Sequence, residues 1–520
     1  MQRKGKFLMK KRLTRAAALL AAATMCASLL AGCGGSTSST STSTSTSSSD
    51  TEAQETVKET DVSKMPVVKF MCASAGITDN MEAVTAAINE ILAERYGIQC
   101  EIQMEGFGSY STQLNLMLTT PGEVDVFYVG GGPTTFVNNG MIYDITDYWE
   151  NASDEFKSMF KDEYIEANMV GGRLYAIPSN INFSNEILVH ANKAMMDEMG
   201  IEVDDEKIWT LDEIHDLVVQ AMETFPDVYG IAPQSAGVLI NQLNWESLGD
   251  SYSIGVVEDR GESRQVISIT DCEEFIEFSR TMHEWYQEGL IMQDVLTTTE
   301  SWSTLVPTGR AFCDFDAGAY PNGCTTEDSK YYNLTVYSNW SAANCAVRLG
   351  FGIAGNTENP DAAFTLLQAF YCDEDICNLL SWGIEGENYV VDENGKANFP
   401  DGVTLENDTW TVGHVSNWAL PNMMGAILPY SSVDGHYDKL KEYDAAAELS
   451  GCMGVVFDST NVADEYTACI NAYNKYYGGI LAGVLDTDEA IAQYKAELQA
   501  AGEDVVIAEK QAQIDAKYGN

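Results

Sequence analysis

From Met65 onward the chain alternates short apolar runs with amphipathic stretches. Val67-Val-Lys-Phe-Met71 reads as a buried strand, and Met81, Val84, Ile88, Ile91 and Leu92 then recur at helical spacing. Gly97 stops that helix, and Ile98-Gln-Cys-Glu-Ile102 alternates as a half-buried strand does. Tyr110, Leu114, Met117 and Leu118 make a second helical stripe, after which Pro121-Gly122 turns the chain into Val124-Asp-Val-Phe-Tyr-Val129. Strands separated by amphipathic helices predict parallel βαβ units, hence an α/β fold. In open sheets of this kind ligands lie at the carboxyl ends of the strands, here Cys72–Asp79, Gly106–Ser109 and Gly130–Thr134.

Ahead of Met65 the pattern is different. Arg3, Lys4, Lys6, Lys10, Lys11, Arg12 and Arg15 precede an apolar stretch from Ala16 to Leu30, too short for an ordinary spanning helix. It ends in Leu30-Ala31-Gly32-Cys33, which resembles the lipobox of bacterial lipoproteins. The resemblance implies that residues 1–32 are a signal peptide and that Cys33 is diacylated and becomes the first residue of the mature chain. Two acyl chains anchor a protein where one barely holds it. Met9 would serve equally as the start, since four basic residues follow it. Ser36 to Ser49 is an unbroken Ser/Thr tract, and residues 50–64 stay polar, so 33–64 is expected to be a disordered tether. Some 30 residues of flexible chain reach about 30 Å on average.

Composition narrows the classes. The ~450 residues after the tether exceed one ordinary core and predict two lobes. A net charge of −49 disfavours nucleic acid and anionic headgroups as partners. Ten of the 12 cysteines lie in the body, too sparsely for a disulfide scaffold. Cys313 with Cys324, or Cys372 with Cys377, could close a loop; buried free thiols are the preferred reading.

Motif order then points to a family. Val124 to Pro133, followed by Gly140-Met-Ile-Tyr-Asp-Ile-Thr-Asp147 and Gly171-Gly-Arg-Leu-Tyr-Ala-Ile-Pro178, resembles the first lobe of family 1 extracellular solute-binding proteins, the carbohydrate-type binding proteins of ABC importers. Ile187-Leu-Val-His-Ala-Asn-Lys193, Thr210-Leu-Asp-Glu213 and Gly309-Arg-Ala-Phe-Cys-Asp314 resemble their second lobe. Trp382-Gly-Ile-Glu-Gly-Glu-Asn-Tyr389 and Asn461-Val-Ala-Asp-Glu-Tyr466 resemble a lipoprotein subgroup whose C-terminal domain has no assigned activity. The resemblance implies a two-lobed periplasmic-binding-protein-like fold, with a cleft between lobes joined by hinges near 184–188, 331–335 and 372–376. Residues 65–185 and 334–373 would form the first lobe, and 186–333 and 374–520 the second with its C-terminal extension. It implies a lipid-anchored protein on the outer face of the cell membrane that takes up a sugar or oligosaccharide by lobe closure and delivers it to ABC permease subunits, without cofactor, metal or catalysis. On the same ground Gly130, Gly131, Gly132, Asn182, Trp245, Asp316 and Tyr320 are the expected ligand contacts, with Trp302, Trp340 and Trp382 as further stacking candidates.

Rival chemistry finds little support. Gly350-Phe-Gly352-Ile-Ala-Gly355 matches a dinucleotide motif literally, but the next helix is expected only at Pro360, so it reads as strand and turn. Asp314-Phe-Asp316 and Asp392-Glu-Asn-Gly395 lack the full calcium loop and read as turns. The five histidines are scattered, and no motif singles out a glycosidase pair among 78 acidic residues. A surface polysaccharide-degrading enzyme and a non-transport sensor remain the rival classes.

Overall fold

The computed structural model describes residues 62–235, 238–240, 243–319 and 329–519. The signal segment, Cys33, the tether as far as residue 61, Tyr320 and Cys324 lie outside them; the last three tether residues, Val62–Lys64, form one 3-10 turn.

The first lobe follows the apolar pattern. β1 (Val67–Ala73), α1 (Met81–Arg95), β2 (Gln99–Glu105), α2 (Phe107–Leu118) and β3 (Val126–Gly130) succeed one another, and β1 pairs in parallel with both other strands. Val84, Ile88 and Leu92 bury one face of α1. β4 (Ala176–Pro178) precedes the first passage out of the lobe.

The second sheet is built from β5 (Asn185–Asn192), β6 (Tyr229–Ala232), β7 (Ala311–Gly318) and β8 (Tyr331–Ser341). β5 pairs antiparallel with both β7 and β8. Helices α3 (Leu211–Thr224) and α4 (Glu273–Gln287) supply much of its core. The Thr210–Glu213 capping box starts α3.

The chain then re-enters the first lobe. β9 (Leu349–Ile353) lies between β3 and β4, antiparallel to both, giving the order β2-β1-β3-β9-β4. The glycine motif is therefore buried strand, and α5 (Pro360–Cys372) begins at Pro360 behind an Asn359 cap. Phe70 of β1 stacks on Phe351 of β9 at 5.4 Å and meets the edge of Phe370 of α5 at 4.9 Å, tying sheet to helix.

After α6 (Glu374–Trp382), the segment through Leu420 covers the end of the first sheet; Trp410, Val412 and Leu420 belong to that core. Helix α7 (His436–Ala446) and β10 (Glu448–Leu449) lead back, with β10 completing the second sheet as β10-β8-β5-β7-β6. Three helices, α8 (Ala463–Leu481), α9 (Thr487–Ala501) and α10 (Glu503–Tyr518), close the chain against the second core.

Two of the expected boundaries differ from this arrangement. The division at 333/334, with its hinge at 331–335, falls inside β8, one of the longest strands; the passage lies at 342–348 instead. The division at 373/374, with its hinge at 372–376, separates α5 from α6, yet Ile376 and Leu380 of α6 share the first core. Return to the second lobe comes through α7, before Glu448 and Leu449 join the second sheet. Asp314–Gly318 is strand, not a turn, because it pairs residue by residue with β5, whereas Gly395 donates to the Asp392 carbonyl in the expected turn. Cys72, Cys100, Cys272, Cys313, Cys345, Cys372, Cys377, Cys452 and Cys469 are free thiols, all but Cys372 fully buried.

Candidate functional site

Sheet polarity decides which ends of the two lobes face each other. The chain leaves β4 at Pro178 and enters β5 at Asn185, so the start of β5 is at the passage. β7 runs opposite to β5, which brings Asp316–Gly318 to that same end, and β6 runs parallel to β7 and delivers Gln234 there. On the first lobe β1, β2 and β3 all end on this side. Strand ends from both sheets therefore converge on the three passages.

At the base of this meeting place is a cavity of about 80 Å³ lined by Asn185, Ala317 and Trp340 from the second lobe and by Asn344, Cys345 and Arg348 from the second passage. Gly131 donates its N–H to the Arg348 carbonyl. Gly131 (φ 76°) and Gly132 (φ 92°) are left-handed, and a Cβ on Gly132 would lie 3.4 Å from Val347 Cβ. Asn182, on the first passage, donates to the Ser184 carbonyl and to Asn185 Oδ1. Thus the Gly130–Gly132 loop and Asn182 flank the passages at the cavity, while Asp316 sits on the second-lobe wall, where Gln234 Nε2 donates to its carboxylate.

Behind Asp316 the wall is buried and carries ionisable groups. His190, fully buried, faces the Asp314 carboxylate at 3.4 Å and packs against the mutually touching rings of Trp302 and Tyr331, each 4.5 Å away. Burial raises the Asp314 carboxyl to about 6. Among the described residues no group of three His, Cys, Asp or Glu could hold a metal ion.

Two expected contacts sit elsewhere. Trp245 is 0% exposed and packs edge-on against Phe275 at 5.9 Å in the second core. Trp382 is buried and donates its indole N–H to the Ile427 carbonyl. Both rings are structural packing. Trp340 lines the cavity, and Trp302 is half-buried on His190.

The first lobe contributes a second hollow, about 410 Å³, at the carboxyl ends of β1 and β2, lined by Ser74, Gly76, Thr78, Glu105 and Phe107. Phe107 opens α2 and stacks on Trp418, ring centres 5.3 Å apart and planes 16° from parallel, and both rings are 40% exposed. The strand-end rule reaches Phe107; nothing in the pattern around Trp418 marks it, because it lies in a segment without periodicity.

The passages are pinned by two buried carboxylates. Asp444 of α7 accepts from Phe183 N–H at 2.9 Å and Ser184 Oγ at 2.6 Å, tying the third passage to the first. Glu246 accepts from Leu248 N–H at 2.6 Å and Ala343 N–H at 2.7 Å, tying the second lobe to the second passage. Burial raises both carboxyls, against the pull of these donors. Beside Asp444 a cavity of about 470 Å³ opens among Lys161, Phe183, Tyr371, Asn422 and Lys441.

Comparison with known proteins agrees with this architecture. The sequence profile of the bacterial extracellular solute-binding proteins matches residues 74–374, and that of a domain of unknown function (DUF3502) matches residues 452–518. A carbohydrate ABC transporter substrate-binding protein of Streptococcus pneumoniae serotype 4 is 23% identical over 465 residues, spanning 88% of this chain and 92% of its own. The N-glycan transport solute binding protein NgtS of Streptococcus pneumoniae superposes with a TM-score of 0.74 at 21% identity, covering 88% of this chain and 99% of that one. The same protein in complex with Man1GlcNAc gives a TM-score of 0.65 at 22% identity, over 88% of this chain and 100% of that one.

Proposed function

The chain belongs to the bacterial extracellular solute-binding proteins, and from that premise we propose that it captures a carbohydrate outside the cell and presents it to an ABC permease. The observation that carries this reading is the convergence of amides at the passages. Asn185 and Asn344 line the cavity, Asn182 donates to Asn185 beside it, and Gln234 stands beside Asp316. A planar amide donates and accepts at once, as sugar hydroxyls require. The carbohydrate names of the relatives, over nearly the full length of both chains, support the same solute class.

In this reading Gly130–Gly132 offer backbone at close range from the first lobe, and Asn182 and Asp316 offer side chains from the passage and the second lobe. Closure would bury the solute between them and create the surface that the permease recognises. Micromolar capture needs about −8 kcal/mol, within reach of a few hydrogen bonds and stacked rings after ordering costs. Cys33, diacylated, would hold the protein at the membrane, with the Ser/Thr tract as tether.

The test is calorimetry of the full-length protein in mild detergent against mono- and oligosaccharides, including Man1GlcNAc. Saturable binding without change in the glycan is expected. New reducing ends would replace capture with hydrolysis, and silence across the series would remove carbohydrate as the solute. Cys33→Ser should release the protein from the membrane fraction.

A further inference from the structure

The stacked pair at the outer end of the first lobe is the feature that capture by the passages leaves unexplained. Trp410, on the same segment as Trp418, is 1% exposed and belongs to the first core. Phe107 and Trp418 instead keep 40% of their surface in water while holding each other in register. The pair is also fixed in place. Ser416 Oγ lies 3.1 Å from Ser74 Oγ and accepts from Ala75 N–H at 3.2 Å, and Ile77 N–H donates to Thr411 Oγ1 at 2.7 Å. The segment carrying Trp418 is thereby stapled to the end of β1, which lowers the ordering cost of a ligand that stacks there.

Position then sets the scale. In the order β2-β1-β3-β9-β4, the passages leave from β4 and β9, whereas Phe107 follows β2 at the opposite edge. Three strand intervals separate the two places, on the order of 14 Å at the usual spacing within a sheet. The hollow beside the rings offers the partly exposed side chains of Thr78 and Glu105, so an apolar face adjoins hydroxyl and carboxylate oxygens. Apolar C–H faces beside hydroxyls are what a pyranose presents.

We propose that Phe107 and Trp418 form an outer subsite of the cleft, and that its ligand is a carbohydrate chain of several rings rather than a mono- or disaccharide. The proposal rests on the carbohydrate reading above. Only a chain can touch the amides at the passages and the rings at the outer edge together.

The experiment titrates the full-length protein in mild detergent with linear and branched oligosaccharides of graded length, Man1GlcNAc among them. Wild type, Phe107→Ala, Trp418→Ala, Trp418→Leu and Trp418→Phe are compared, with thermal unfolding as the check on folding. Affinity is expected to rise with length in wild type. The alanine and leucine variants should lose at least tenfold on the longest ligand and less than twofold on the shortest that binds, and Trp418→Phe should recover most of the loss. Equal affinity for short and long chains, or long chains bound undiminished by the variants, overturns the outer subsite and leaves the carbohydrate reading intact. So does uptake lost with binding unchanged, which would assign the rings to the permease. Silence of wild type toward every glycan overturns the carbohydrate reading itself, and the subsite with it.

Discussion

Helix α10 is held to the second lobe by an ammonium group that has no access to water. Lys510 Nζ, 0% exposed, donates to Asp250 Oδ2 and to the Gly255 carbonyl, both at 2.8 Å, and to the Ser247 carbonyl at 3.3 Å. It also lies 4.8 Å from the centre of the Phe457 ring. Asp250 accepts in addition from the N–H groups of Tyr252 and Ile254 and from the Tyr466 hydroxyl. Burial lowers the Lys510 pKa, and Asp250 pulls it back. Lys510→Met preserves length and bulk but strips the Asp250 carboxylate of its cation. Removing one partner of a buried pair costs about 3–5 kcal/mol. Because Asp250 keeps three other donors, about 3 kcal/mol is expected here, a fall in melting temperature of about 6–12 °C for a unit of lobe size. Adding Asp250→Asn should return about 1–2 kcal/mol, the signature of two groups that act on each other. Differential scanning calorimetry at pH 7, with urea unfolding alongside, reads both quantities. A Lys510→Met protein within 1 kcal/mol of wild type, or a double variant whose cost is the plain sum of the singles, would refute the assignment of α10 to this pair.

Asp314 makes stability depend on pH. Its carboxyl is raised from 3.8 to about 6 by burial, so the folded state holds the proton more tightly; the contribution is full below about pH 4 and is lost as pH rises through 6. Asp314→Asn should flatten the fall in urea stability between pH 4 and pH 7 by about 3 kcal/mol, and an unchanged slope would count against it. Asp444→Ala removes the acceptor for Phe183 N–H and Ser184 Oγ, and should cost about 2–4 kcal/mol in chemical unfolding. Its small-angle scattering without ligand should also show a wider spread of lobe separations than wild type, and identical profiles would deny Asp444 a place in the pivot. Gly132→Ala forces a side chain into φ 92° against Val347, at a cost of about 1–3 kcal/mol; solute affinity should fall more than tenfold with secondary structure unchanged by circular dichroism.

Where periodicity reports burial, the sequence was a good guide. Val84, Ile88 and Leu92 face the sheet because a helix repeats its stripe, and the first three strands follow from the same logic. It failed where two different causes select the same residue. A tryptophan serves a core as well as it serves a sugar, so Trp245 and Trp382 could not be told from cleft rings until their surroundings were seen. Boundaries between lobes were hidden for another reason. The second passage is the short, mostly apolar run Ala342-Ala-Asn-Cys-Ala-Val-Arg348, which has no glycine or proline and carries a single charge, Arg348, at its end, so little in it marks a linker. Trp418 was invisible because its partner, Phe107, is distant in sequence and only the fold brings them together.

The C-terminal helices take part in the same pivot. They rest on the second core, yet Lys517 of α10 reaches the Glu166 carbonyl of the first lobe at 3.4 Å, and Gly454 lies so close to Ala167 that a Cβ there would stand 2.8 Å from its backbone. Rotation about the passages must therefore slide this contact, and its cost is part of the balance between open and closed forms. The same geometry ranks the contacts of the cleft. For rotation about the β4 and β9 edge, displacement grows with distance from it, so the ends of β1 and β2, with Phe107 and Trp418, sweep furthest. Contacts made near the passages change little between open and closed forms and so bind without favouring closure. A ligand shifts the equilibrium only by what it gains in one form over the other. On the proposed outer subsite, contacts at the ring pair are therefore expected to favour closure more than contacts at the passages, and small-angle scattering should show less compaction with a short solute than with one long enough to reach Phe107 and Trp418.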